Sequence, residues 1–232
     1  MKIRQLLIGV LLVCSAGQVS GQVIGFDKVD ESAVLPWVAD TASAYSYVYR
    51  FGESETESSL VIFLNGDTVY AQIRESVWDQ ETQEWYSSYK NLTNVRIQDN
   101  RFYSDQTEGV FVFYGRQKGL KVYRPWSGLT EEGEYEIGLQ ARPVKAYFDG
   151  DYIQASLRAL SSNELLNMSR QELKIMRNEI FARYGYRFRP SGAMDRYFRT
   201  QEWYRAVYED VNAFLTDLER SNIARILKAE KQ

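Results

Sequence analysis

The densest set of chemically capable side chains lies between residues 183 and 205. Tyr186-Arg187-Phe188-Arg189 runs into Pro190, which biases Arg189 toward extended backbone. In that geometry Tyr186 and Phe188 share one face, and Arg187 and Arg189 share the other. Arg183, Arg196, Arg199 and Arg205 bring the count to six arginines within 23 residues, interleaved with Tyr197, Phe198, Trp203 and Tyr204. Guanidinium and aromatic faces together suit anionic glycans and the phosphate or carboxylate groups of a polymer. Arg183, Tyr186, Arg187, Arg189, Trp203 and Tyr204 are therefore the expected ligand-binding residues. The competing role is structural, with the arginines stacking on aromatics and pairing with surface acids.

Other combinations are weaker. Asp149-Gly150-Asp151 offers two carboxylates, too few for a calcium loop, and reads as a hairpin turn. Glu131-Glu132 could serve glycoside hydrolysis only if two carboxyls faced each other across a cleft, and nothing in the spacing places them so. The chain has no His and one Cys, Cys14. That removes the Ser-His-Asp triad, the Cys-His dyad and His-ligated zinc. The glycines are dispersed and match neither phosphate-binding spacing. No catalytic residue, metal or cofactor is expected.

Lys2 and Arg4 precede the nine-residue apolar run Leu6–Cys14, and small and polar residues follow. Nine residues at ~1.5 Å rise cover roughly half of a ~30 Å bilayer core, so the run does not span a membrane. Basic head, short apolar stretch and small-residue tail are the parts of a secretory signal. Val19 and Gly21 suit cleavage after Gly21, giving a signal peptide over residues 1–21 and an exported, periplasmic or extracellular protein. Leu11-Leu12-Val13-Cys14 also resembles a lipobox, with Val13 where a small residue is usual. A lipid anchor on Cys14 is the alternative to soluble export. No other apolar stretch is long enough to span a membrane.

These groups are positioned by two kinds of element. From Val23 to about Ser156 the chain reads as eight or nine short strands, with turn signals between them. Asn65-Gly66 marks a type I′ hairpin between Ser59–Leu64 and Thr68–Ile73. Further strands are expected at 45–51, 85–89, 95–98, 110–114, 120–123, 135–139 and 144–148. The run Val110–Tyr114 is apolar on both faces, so it is either a central strand or covered by the next domain. After Ser156 the period becomes helical. Ser161-x-x-Glu164, Ser169-x-x-Glu172 and Thr216-x-x-Glu219 are three capping boxes. Gly185 suits a left-handed helix end. Leu173, Met176, Ile180 and Tyr184 form one apolar stripe with Arg177 inside it. Arg177 is expected to pair with Glu219 or Asn222 on the last helix, since a buried polar group needs a partner. Glu219 has a rival role, closing its own capping box on Thr216. The predicted class is α+β: an antiparallel β-sandwich or barrel over residues 22–156, then a small all-α domain over 157–232.

Charge follows the same division. Residues 22–160 carry 13 Lys+Arg against 21 Asp+Glu, and residues 161–232 carry 13 against 10. The chain is acidic overall at −3, which argues against nucleic acid as a partner. The opposite signs of the two halves are compatible with their docking on each other.

Glu172-Leu173, Met176-Arg177-Asn178-Glu179-Ile180-Phe181-Ala182-Arg183-Tyr184-Gly185-Tyr186-x-Phe188, Tyr197-Phe198, Trp203-Tyr204 and Glu219-x-x-Asn222-Ile223 resemble the YARHG domain over roughly residues 164–228. That family comprises small helical modules of extracytoplasmic location in bacteria without an established activity. Phe181 stands where the family has Tyr, and Tyr184 where it has His. An acid–base or metal role for that histidine therefore cannot operate here, and an aromatic at the helix end fits packing. Export, a mature chain without His or Cys, and this resemblance together point to a non-catalytic envelope protein that binds a cell-wall polymer or another envelope protein. The alternative is an envelope hydrolase working with carboxylates of the β-domain.

Overall fold

The computed structural model describes residues 22–24, 27–52, 57–123 and 134–232. The expected signal segment with Cys14, and Glu131-Glu132, lie outside the described residues. The N-terminal part is one large β-sheet. Its strands are β1 (Gln22–Ile24), β2 (Asp27–Lys28), β3 (Val34–Pro36), β4 (Val48–Phe51), β5 (Ser58–Asn65), β6 (Thr68–Asp79), β7 (Glu84–Asn91), β8 (Arg96–Gln98), β9 (Arg101–Tyr103), β10 (Glu108–Tyr114), β11 (Gln117–Val122) and β12 (Tyr135–Arg142). The hydrogen-bonded order is β7-β6-β5-β4-β12-β11-β10-β9-β8, antiparallel throughout, with β1 parallel to β12 and β3 added on β10.

The sheet curls on itself. Leu60 and Ile62 of β5 and Ile73 of β6 share one core with Phe102 of β9, Phe111 of β10 and Leu120 of β11, with Trp37 and Tyr45 packed among them. It does not close, because β7 and β8 end the order without pairing to each other. The antiparallel β-rich class is as expected, and its form is a single open, curled sheet. Strand β10 is central, lying between β9 and β11. Phe111 faces the inner core, and Val112 packs outside it with Val29, Tyr135 and Ile137. Its outer cover thus includes Val29 of the N-terminal segment.

Three local expectations need correction. The β5–β6 hairpin forms, but Asn65 pairs with Thr68, so its two loop residues are Gly66-Asp67. Only Gly66 has a positive φ, +59°, the sign pattern of a II′ turn rather than I′. Residues 144–148 are not a strand: Pro143 opens a short 3-10 turn at Val144–Ala146, and Tyr147 and Phe148 turn into a core instead. Asp149-Gly150-Asp151 is likewise no hairpin turn, since it joins that turn to a helix rather than to another strand.

The C-terminal part holds α1 (Gln154–Leu157), α2 (Ser162–Leu166), α3 (Arg170–Arg183), α4 (Ala193–Phe198) and α5 (Asp217–Ala229). All three capping boxes are made, each with both reciprocal hydrogen bonds. Each satisfies two N–H groups that a helix start leaves without partners. Gly185 follows α3 at φ +76°. The stripe Leu173, Met176, Ile180 and Tyr184 is buried against Leu165, Val211, Leu215 and Ile226. Arg177 does not reach α5 where expected. It forms a two-point pair with Glu230, Nε–Oε1 2.7 Å and Nη2–Oε2 3.2 Å. Glu219 and Asn222 are taken by other partners: Asn222 accepts from Leu160 N–H at 3.0 Å and donates to the carbonyls of Ala155 and Arg158.

The two parts dock through apolar and amide contacts. Val48, Val61 and Phe63 of the sheet pack with Tyr147, Phe148 and Leu218. Beside them Gln72, almost fully buried, donates to the Phe214 carbonyl at 2.8 Å and to Asn91 Oδ1 at 2.8 Å. Asn91 in turn donates to the Leu215 carbonyl at 2.9 Å. A buried primary amide that finds all these partners holds the docking geometry as well as the area.

Candidate functional site

The register of β6 with β7 builds one wall of a cleft. Gln72↔Asn91, Arg74↔Tyr89, Ser76↔Ser87 and Trp78↔Trp85 are successive cross-strand pairs. With a side-chain period of 2, they fall on one face. The first two pairs meet the helical part, where Tyr89 packs edge-on against Tyr184 at 4.8 Å, and the later ones run out toward the arm's tip. The β5 register with β6 ends at Ser58↔Glu75, whereas β7 continues to Asp79↔Glu84. Residues 76–79 and 84–87 therefore form a two-stranded arm projecting past β5. The Asp79 carboxylate closes its tip by accepting from Glu81 N–H at 2.8 Å, and these turn N–H groups hold its pKa below the ordinary carboxylate value. Gln83 supplies the positive φ, +57°.

A two-stranded ribbon is marginal in water on its own. This one is braced by Trp78 and Trp85, whose rings lie 5.3 Å apart, and by Tyr208 of the opposite wall. Tyr208 packs edge-on against Tyr86 at 5.6 Å and donates its hydroxyl to the Ser87 carbonyl at 3.0 Å. Burial pushes that hydroxyl up to about 12, so it remains a donor throughout the physiological range. Trp78 and Trp85 are nevertheless 40% and 47% exposed. Large aromatics left that open on a structured arm mark a contact surface more often than a core.

The opposite wall comes from the end of α3 and the segment 203–208. Gly185 turns the chain, and its carbonyl accepts from Val207 and Tyr208 N–H at 2.8 and 2.9 Å. Arg187, Trp203, Arg205 and Tyr208 line the wall, and Arg74, Asp149, Arg183 and Tyr184 lie at its inner end. The space enclosed is about 690 Å³, within the range of small-molecule and oligomer clefts.

Behind this inner end sits a buried polar network. Arg183 pairs with Glu179, donates to Ser156 Oγ at 2.7 Å and donates to the Asp149 carbonyl at 2.6 Å. Glu179 also accepts from Asp151 and Tyr152 N–H, at 2.9 and 2.7 Å. Ser156 donates its hydroxyl to Glu219 Oε1 at 2.5 Å, and Glu219 Oε2 accepts from Thr216 N–H at 2.8 Å and the Tyr184 hydroxyl at 2.9 Å. Tyr184 is therefore more than packing: it joins this network to Gln72 Nε2 at 3.3 Å.

Burial raises the Glu219 carboxyl above its ordinary value of 4.5, against the lowering by the Ser156, Thr216 and Tyr184 hydrogen bonds. The native state then keeps a proton that the unfolded chain releases. Its contribution to stability is full below the unfolded value and is lost as pH rises through the native one. Glu219→Gln does not titrate. Urea titrations from about pH 4 to about pH 8 should show the gap between wild type and this variant narrowing as pH rises. A constant gap would contradict the raised carboxyl.

The six residues expected from the sequence are divided by the fold. Arg187 and Trp203 line the cleft; Arg187 is exposed and also pairs with Glu209 at 2.7 Å. Arg183 borders the cleft, but its side chain is only 4% exposed and is held by Glu179. Tyr186, Arg189 and Tyr204 are not among the lining residues. Tyr204 is buried with Phe188 and Phe198 and donates to the Tyr186 carbonyl at 2.7 Å. Arg187 and Arg189 are exposed while Phe188 is buried, which follows the expected alternation. Trp78, Trp85 and Arg74 were not anticipated. Two tryptophans flanking a turn at 80–83 were the available signal, and their facing register becomes evident only once the strands pair. Among the described residues, no group of three Asp, Glu, Cys or His is placed to hold a metal ion. No described helix is long and apolar enough to cross a membrane.

Fold and site thus define a two-part protein, an open curled β-sheet carrying a helical module, with a cleft at their junction. The model of the YARHG domain family matches residues 149–231, and the N-terminal part matches no family model. The family is typical of exported proteins. Neither the curated proteins nor the solved structures contain a significant match to the chain. The match opens at Asp149, the first residue of the loop that Glu179 and Arg183 hold. Glu179, Arg183, Gly185, Glu219 and Asn222, which carry the resemblance, serve as buried partners or a helix stop. The motif in this chain is the set of contacts that folds the module.

Proposed function

We propose that this is an exported, non-catalytic envelope protein whose partner, a cell-wall polymer or another envelope protein, occupies the cleft between the β6–β7 arm and the helical part. The observation that carries the reading is the exposed Trp78–Trp85 pair facing a wall that bears Arg187, Arg205 and Trp203. The YARHG match supports export. One support for the non-catalytic reading is the state of the two buried carboxylates behind the inner end of the cleft. Glu179 and Glu219 accept on both oxygens from groups of the protein itself, which occupies the positions an acid–base pair would turn to substrate.

The test is retention of the protein, lacking residues 1–21, on purified sacculi and on immobilised envelope extract. Trp85→Ala should reduce retention by about tenfold or more, as expected for an aromatic at the centre of an interface. The melting temperature should move little, because Trp85 belongs to none of the buried cores and any loosening is confined to the arm. Undiminished retention of both Trp78→Ala and Trp85→Ala would remove the cleft from consideration.

A further inference from the structure

The arginines of residues 183–205 suggest an anion site when read in sequence, but the folded cleft is built differently. Arg183 is neutralised by Glu179, and Arg187 by Glu209. Two lining guanidiniums remain, Arg74 and Arg205. Arg205 directs Nη1 to the carbonyls of Glu202 and Tyr204, both at 3.1 Å. Against them the lining carries Asp79, Glu84 and Asp149. The cleft therefore has no cationic excess, and a polyanion would meet as much repulsion as attraction.

What the lining does offer is exposed indole faces on one wall and, around them, polar side chains of both hydrogen-bonding kinds. Ser76 and Ser87, on the same face of the arm as the tryptophans, both donate and accept, and Arg205 donates. Neutral hydroxyl-rich rings require that combination. Their C–H faces are apolar and lie flat on an aromatic, and their rim of hydroxyls donates and accepts together. Resting on the reading of the cleft as the binding surface, we infer that its ligand is a polysaccharide chain gripped by its pyranose faces and hydroxyls, not by anionic substituents. Trp78 and Trp85 are the stacking surfaces, and Arg205, Ser76 and Ser87 are the hydroxyl partners.

Titration with a neutral β-linked hexasaccharide, chitohexaose or cellohexaose, tests this, with polygalacturonate as the anionic counterpart. Binding of a neutral hexasaccharide should shift the emission of the exposed tryptophans to the blue. Its affinity should change less than about twofold between about 0.05 and 0.5 M salt, because little of the grip is screened. Trp85→Ala should weaken it by about tenfold or more. Arg205→Gln leaves the stacking surfaces intact and should weaken it less, which guards against a disordered arm in the Trp85 variant.

Three results would overturn the inference, each with a different consequence. Polygalacturonate binding that falls steeply with salt would make the cleft an anion site. Failure of both hexasaccharides to bind, with envelope retention still dependent on Trp85, would exclude the saccharide and leave the cleft as a docking surface for another partner. Retention independent of both tryptophans would remove the cleft itself.

Discussion

Arg183→Met should lower the stability of the protein by about 3–5 kcal/mol, the usual cost of leaving one member of a buried ion pair without the other. Glu179 is buried, and its carboxyl is raised by that burial against the pull of Arg183. Without the guanidinium it must either take up a proton or remain charged in a poorly solvated site. Ser156 Oγ and the Asp149 carbonyl lose their donor in the same step. At roughly 2–4 °C per kcal/mol for a chain of this size, the melting temperature should drop by about 10 °C. The Glu179→Gln, Arg183→Met double variant should be less damaged than Arg183→Met alone, because the orphaned charge is gone. A loss under about 1 kcal/mol for the single variant would show that this pair does not hold the module together.

The second large effect is expected at Gly150. Its φ is +102°, and a Cβ there would overlap the Glu179 carboxyl group. Gly150→Ala should cost about 1–2 kcal/mol of backbone strain. It should add about 1–3 kcal/mol for displacing a packed group. The displaced group accepts from Asp151 and Tyr152 N–H and pairs with Arg183, so the loop and the helix loosen together. Gly66→Ala is the control. It has a positive φ of +59° but nothing within 4 Å of a Cβ, so it should show the strain alone. Equal losses for the two variants, measured by urea unfolding, would mean that the Glu179 contact carries no weight.

These two sites show which parts of the molecule are legible from the chain. The three capping boxes, the left-handed Gly185 and the buried stripe of α3 all depend on residues within about three helical turns. Local geometry settles them wherever the helix packs. Arg177 shows the limit. Helical periodicity puts it near the buried face but does not specify the axial register of α5, and Glu230 meets it in place of Glu219 or Asn222. The hairpin at 65–68 shows the same limit on a small scale, since the pattern marks the turn while strand pairing sets its register.

The site was less legible, for the same reason. The arginine cluster is conspicuous in sequence, but its ion pairs decide what it can bind. Glu179 and Glu209 neutralise two of its members, and Arg199 is held by Asp195 at 2.8 Å. Trp78 and Trp85 lie about 120 to 130 residues before the wall they face, Arg205 and Tyr208.

The amino-acid order alone determined an antiparallel β-rich part, a helical part with its starts and stops, and the YARHG character of the second, because each depends on short-range pattern. Tertiary structure alone decided that the sheet curls without closing, that Gln72 and Asn91 lock it under residues 213–215, and that a cleft opens at the junction. Those outcomes rest on contacts between residues as much as 142 apart, where hydrogen-bond partners and ring faces are chosen by packing and not by spacing along the chain.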